Sequence, residues 1–355
     1  MEFKNFFALL ALLFGLLVSV GATGVVHNPV EYHSLSHPII ADHSTIDYVR
    51  LDQLTESVIN DAKSSLHIAY GHTSHGSQVI TGMNGLDAFK GSTGLYSWSE
   101  GGSDSSLDID DVFVGSTDLG NSNWDTLTDE YLQDEAHNDV NVVMWSWCGQ
   151  VSSASEEYID DYLADMSALE LKYPEVTFVY MTGHTDGTGL DGNLHVRNEQ
   201  IRAYCLANNK VLYDFADIEQ YNPDMEYFGD KNVTDSCKYD KNGDGDYNDP
   251  DDGNWALEWQ TTHEVGVDWY QSSSAHSEPL NANQKAYAAW WLWARLGGWE
   301  STEVTDSTQT SSSSSGNGSL SESTVEEENT TPGFLLVGLF VSMAISLSFR
   351  KFNRG

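Results

Sequence analysis

The chain has 355 residues, with 54 Asp and Glu against 16 Lys and Arg, for a formal net charge of −38. Such a surface repels nucleic acid and other polyanions, so no nucleic-acid partner is expected. Three cysteines are too few for a disulfide scaffold, which leaves burial of apolar surface as the source of stability.

In chain order, residues 1–22 read as a secretory signal peptide. Lys4 precedes an apolar stretch, and Val20-Gly21-Ala22 supplies the small residues of a cleavage site. Residues 23–45 form an N-terminal extension, and the main domain runs from 46 to 299. Four short apolar, β-rich runs recur in it, at 66–70, 140–147, 176–181 and 210–215. Helices are expected at 78–90, at 154–171 with Ser152 or Ser153 as cap, and at 193–208. A last helix begins at Asn281 or Asn283 and ends at Leu296, stopped by Gly297-Gly298. Strands that are apolar throughout, alternating with helices, predict an α/β fold. Its sheet is doubly wound and mainly parallel, with helices on both faces in a flavodoxin-like three-layer sandwich.

Residues 300–331 are rich in Ser, Thr and Glu and cannot form a core, so they read as a flexible stalk. Asn317 and Asn329 within it, and Asn232 in the domain, begin glycosylation sequons. Residues 332–355 hold an uncharged apolar run followed by Arg350, Lys351 and Arg354. On hydropathy this is a C-terminal membrane anchor with its basic end inside. Thr331-Pro332-Gly333-Phe334 and the run after it also resemble the PGF-CTERM sorting signal of archaeal surface proteins. In that family the tail is removed and a lipid replaces it. Both readings put the domain outside the cell, secreted and anchored at its surface.

Ligands of a parallel sheet bind beyond the C-terminal strand ends, and each run here ends in polar and glycine residues. The first is followed by Gly71-His72-Thr73-Ser74-His75-Gly76-Ser77-Gln78. A serine on a glycine-flanked turn between strand and helix is how many hydrolases present a nucleophile. The second run ends at Cys148-Gly149-Gln150, the third at Gly183-His184-Thr185-Asp186, and Ser274-Ala275-His276 precedes the last helix.

In that order these blocks resemble the SGNH/GDSL hydrolase superfamily over about residues 46–299. The match looks closest to a microbial branch with a Gly-His-Thr-Ser-His-Gly-Ser-Gln signature. The resemblance implies Ser74 as nucleophile and His276 as general base, with the N–H groups of Ser74 and Gly149 as oxyanion donors. The family's block asparagine is Thr185 here, which leaves His184 or Thr185 to substitute. The family's triad aspartate falls on Ser273, so an acid for His276 must come from Asp268 or Asp186. His72, His75 and His184 could instead bind a metal as imidazole ligands. Cys148 reads as a small buried residue, and Cys205 and Cys237 could pair.

A second motif runs from Asp240 to Asp251. Asp240, Asn242, Asp244, Asn248 and Asp251 occupy oxygen-ligand positions of a calcium loop, Asp246 lies among them, and Gly245 takes the sharp turn. Trp145, Trp147, Trp255, Trp259 and Trp269 lie near these blocks, either as core or as faces for sugar rings. The leading expectation is a surface-anchored serine esterase holding structural Ca2+. Its substrate is an extracellular ester, with acylated glycans one class and carbohydrate O-deacylation the matching reaction. The alternative is a non-catalytic, calcium-dependent glycan- or surface-binding module on the same fold.

Overall fold

The computed structural model describes residues 35–46 and 51–300. The signal peptide, most of the N-terminal extension, the stalk and the C-terminal segment lie outside the described residues. Among the described residues, no helix is long and apolar enough to cross a membrane.

Seven parallel strands form the central sheet. They are β1 (Ile39–Ala41), β2 (His67–Gly71), β3 (Trp98–Ser99), β4 (Leu107–Asp111), β5 (Val142–Trp145), β6 (Thr177–Met181) and β7 (Val211–Tyr213). Their order is β1-β7-β6-β5-β2-β4-β3, and every pairing is parallel. The expected doubly wound α/β fold is what the structure has. The four apolar runs are β2, β5, β6 and β7, and their side chains are almost wholly buried because helices cover both faces. The sheet also takes in Ile39–Ala41 through register with β7, so it begins ahead of residue 46.

The helices are α1 (Glu56–Ser65), α2 (Ser77–Phe89), α3 (Trp124–Gln133), α4 (Glu156–Lys172), α5 (Asn193–Ala207), α6 (Phe215–Glu219), α7 (Trp255–Thr262) and α8 (Pro279–Leu296). Ser155 caps α4, accepting from the Tyr158 amide, in place of the expected Ser152 or Ser153. Helices α1 and α2 pack with α8, while α3, α4 and α5 form the other layer. At Gly82 a Cβ would fall 2.0 Å from the Ala282 carbonyl oxygen, so this glycine sets how closely α2 meets α8. A smaller core of Phe228, Val233, Cys237, Tyr239, Trp255, Trp269 and Leu280 lies beside the sheet. The antiparallel pair β8 (Lys238–Tyr239) and β9 (Gly253–Asn254) brackets the acidic loop there.

Helix α8 is buried along almost its whole length, including Asn281, Asn283, Gln284 and Lys285. Each of these side chains makes at least one hydrogen bond, although Asn281 Oδ1 and Gln284 Oε1 are buried without a partner among the described residues. The Lys285 ammonium donates to Glu219 Oε1 at 2.6 Å and to the Gln78 side-chain oxygen. It also sits 3.7 Å from the centroid of the Phe215 ring. Glu219 Oε2 accepts from the Thr185 amide at 2.8 Å and its hydroxyl at 3.0 Å. One ion pair thus ties α2, α6, α8 and the loop after β6. Burial pushes the Lys285 ammonium below its ordinary value, while the Glu219 carboxylate opposes that shift. Removing one partner strands a charge in the core. Lys285→Met should therefore lower unfolding free energy by about 3–5 kcal/mol. Adding Glu219→Gln should recover a large part of that loss in denaturant titration. A single variant as stable as the wild type would contradict the role of the pair.

Candidate active site

Strand order reverses between β2 and β5, the crevice position where doubly wound sheets bind ligands. The loops after β2 and β5 meet there. Strand β2 leads into the Ser74 turn, which Tyr70 closes by donating from its hydroxyl to the Gly76 carbonyl at 2.9 Å. Thr73 Oγ1 donates to Asp118 Oδ2 at 2.7 Å, and Ser77 Oγ donates to the Ser74 carbonyl at 2.6 Å. Ser74 itself is exposed. Among the described residues its hydroxyl and its N–H have no hydrogen-bond partner, and the N–H of Gly149 is equally free.

Three histidines gather beside this turn. The His75 and His184 rings stack at 3.7 Å between centroids and 9° between planes. His276 stacks on His75 at 4.5 Å and 16°. His75 and His184 are buried, whereas His276 is exposed and sits in the left-handed region at φ 63°. A Cβ at Gly149 would lie 4.0 Å from His184 Nε2, so Gly149 also borders the stack. Ser74, Gly149, His184 and His276 are thus brought to one corner. Ser74 and His276 make no hydrogen bond to each other.

Asp186 is turned elsewhere, accepting from the Thr188 amide and hydroxyl within its own turn. Asp268 likewise accepts from the Glu264 amide. Neither carboxylate orients His276. The Thr185 hydroxyl is committed to Glu219, which removes it as an oxyanion donor.

His72 departs from the three-imidazole arrangement expected for a metal. Its Nε2 lies 2.7 Å from Asp111 Oδ1, on the β4 side. The carboxylate that joins His75 is Asp235, with Oδ2 at 3.0 Å from Nε2. Ligand atoms of His75, His184 and Asp235 lie within 4.8 Å of one another. Face-to-face stacking, however, keeps the two rings' in-plane lone pairs in parallel planes. An ion at the usual ~2.0–2.1 Å from both nitrogens would sit well out of at least one ring plane. The group is a stacked pair with an orienting carboxylate. Burial lowers His75 below the usual imidazole value, keeping the ring neutral, although Asp235 pulls the other way. For Asp235 burial opposes ionisation, but the hydrogen bond to His75 holds its carboxyl below the usual range.

Two cysteine expectations are corrected. All three thiols are free. Cys205 is buried in the main core and Cys237 in the smaller one, so the two cannot pair. Cys148 is only half-buried, and its Sγ lies 3.3 Å from His75 Nδ1. The motif containing Cys148 was visible in the sequence. Its partner His75 lies 73 positions away, and no local signal marked Asp235. The tryptophans mostly serve packing: Trp145, Trp147, Trp255 and Trp269 are buried, and Trp259 stacks on His263.

The acidic loop closes on Asp240, which is buried and accepts from the amides of Gly243 at 2.6 Å and Gly245 at 2.8 Å. Gly243 and Gly245 take left-handed φ values of 79° and 89°, as a sharp turn requires. Asn242, Asp244 and Asp246 each accept from the amide two residues on. Asn242, Asp244, Asp246, Asn248 and Asp251 are exposed.

Comparison with protein-family models finds no match, and comparison with curated proteins likewise finds none.

The Ser74 turn depends on Gly76. A Cβ there would fall 2.1 Å from Ser146 Oγ and 2.5 Å from His72 Cβ. Gly76→Ala should therefore cost about 1–3 kcal/mol in thermal or denaturant unfolding. An unchanged midpoint would mean that the turn has room to spare.

Proposed function

We propose that the chain is an ester hydrolase of the SGNH type, acting outside the cell at the surface to which its C-terminal segment ties it. The observation that carries this reading is the meeting of four loop segments at the switch point, with His276 stacked on the residue that follows Ser74. The free N–H groups of Ser74 and Gly149 support an oxyanion site between them.

In the reaction, His276 takes the hydroxyl proton as Ser74 Oγ attacks the ester carbonyl. The alcohol leaves with that proton, and water then releases the acid by the same route in reverse. A net charge of −38 disfavours polyanionic substrates. A neutral acylated glycan fits, which makes the enzyme a carbohydrate O-deacylase. With p-nitrophenyl acetate and the full chain, Ser74→Ala and His276→Ala should each lower turnover by ~10²–10⁴-fold. Rates equal to wild type would remove the serine-esterase reading and favour the calcium-dependent binding module.

We assign one structural Ca2+ to the loop, held by Asp240, Asn242, Asp244, Asn248 and Asp251 with Asp246 contributing. The left-handed glycines and the ring of side chains turned back on backbone amides support this. Calcium would relieve repulsion among the clustered carboxylates and should raise the melting temperature. At a hundredfold excess over the dissociation constant the gain is about 2.7 kcal/mol. Chelator should reverse the gain and Asp244→Ala abolish it. A melting curve indifferent to both calcium and chelator would reduce the loop to solvated acid.

A further inference from the structure

The crevice holds a second reactive set that the serine reading does not use. Cys148 Sγ lies 3.3 Å from His75 Nδ1. The other nitrogen of that ring, Nε2, lies 3.0 Å from Asp235 Oδ2. Thiol, imidazole and carboxylate stand in the order nucleophile, base and orienting acid, each within reach of the next. We infer that Cys148, His75 and Asp235 form a thiol nucleophile centre that accepts acyl groups from thioesters.

The surroundings suit that role. A proton on Nε2 satisfies Asp235 and leaves Nδ1 bare toward the thiol, so the carboxylate selects the tautomer a base needs. The ring is buried and held by stacking with His184 and His276. The charged and titratable groups around it are Asp235, His184, His276 and, farther off, Glu219. Burial keeps His75 neutral and able to receive a proton. The backbone at Cys148 is fixed by its amide, which donates to Gln150 Oε1 at 2.9 Å. Gln150 in turn donates to Asp118 Oδ1 at 3.0 Å. The residue after the nucleophile is Gly149, whose N–H is free among the described residues. That is the usual position of an oxyanion donor. Cys205 and Cys237 have none of this: both are buried, and burial pushes their thiols up.

In the first step Sγ bonds to the acyl carbon while its proton passes to His75 Nδ1. The adduct collapses to a thioester on Cys148, and the leaving thiol carries the proton away from His75. Water, deprotonated by His75, then cleaves the thioester, releases the acid and restores the thiol. The net reaction consumes one water and needs no oxidant or reductant.

The centre does not depend on Ser74, and the two readings are tested on different atoms. The full chain is mixed with S-phenyl thioacetate, quenched in acid and mapped by peptide mass spectrometry. The acetyl group should be found on Cys148. His75→Gln should slow its appearance by ~10²–10⁴-fold, and Asp235→Asn should act in the same direction. Iodoacetamide provides the folding control, because Cys205 and Cys237 stay unmodified in any variant that remains folded. Acetyl on Ser74 with none on Cys148 would overturn the assignment. So would acetylation of Cys148 at wild-type rate in folded His75→Gln and Asp235→Asn. Repeating the p-nitrophenyl acetate test of Ser74 in a Cys148→Ser background keeps the two readings separate, because any turnover through the thiol is then absent.

Discussion

The corner where the loops meet depends on an ion pair that touches no substrate. Lys285 and Glu219 are fully buried, and between them they reach the start of α2 and the loop after β6. On one side, Gln78 accepts from Lys285 and donates through its amide to the Ala275 carbonyl at 2.5 Å, next to His276. On the other, Glu219 holds the backbone and hydroxyl of Thr185, next to His184. Two of the three stacked imidazoles are thus positioned from below by one pair. Such a pair contributes little net stability against an apolar substitute. What it does contribute is direction, because ammonium, carboxylate and amide accept only certain partners.

That network explains which parts of the molecule the sequence revealed. Strands β2, β5, β6 and β7 are buried on both faces and read as continuous apolar runs. Strand β4 does not, because its sequence alternates Leu107 and Ile109 with Asp108, Asp110 and Asp111, and only the apolar pair is buried. Strand β1 is three residues long and gains its meaning from pairing with β7, far along the chain. In the site, Ser74, Gly149, His184 and His276 were legible because each sits in a polar block at a strand or helix end. Asp235 was not, because it reaches His75 across 160 positions from a loop without pattern. The acidic loop was legible as a spacing, and Gly245 adopts the left-handed conformation that a sharp turn there requires.

The distribution of carboxylates separates the two proposed nucleophile systems. His276 is exposed and has no acid partner among the described residues, so in the proposed serine reaction it would act as a simple base. His75 is buried, has Asp235 on one nitrogen and a thiol on the other, and is fixed by two stacked rings. A base whose tautomer and orientation are set in advance needs less reorganisation when a proton moves. The outer pair suits a reaction in which substrate binding draws the groups together. The inner set is assembled before any substrate arrives.

His276 carries a further constraint. At φ 63° it occupies the left-handed region that non-glycine residues avoid, at a cost of order 1–3 kcal/mol. Such strain persists where the surroundings over-determine it. Here the Ala275 carbonyl is held by Gln78, the Ser277 amide donates to the Ser274 carbonyl at 3.1 Å, and Asn281 donates to Ser277 Oγ at 2.7 Å. Cys237, also left-handed at φ 65°, leans on the same hydroxyl, with Sγ 3.3 Å from Ser277 Oγ. The segment that carries Asp235 and the segment that carries His276 are therefore braced against each other through Ser277. A shift in either would move one acid or base of the crevice relative to His75. The strain at His276 is thus the local expression of the constraint that begins at Lys285: the core polar network holds this loop in the one backbone state that lays an imidazole over the ring beside Ser74.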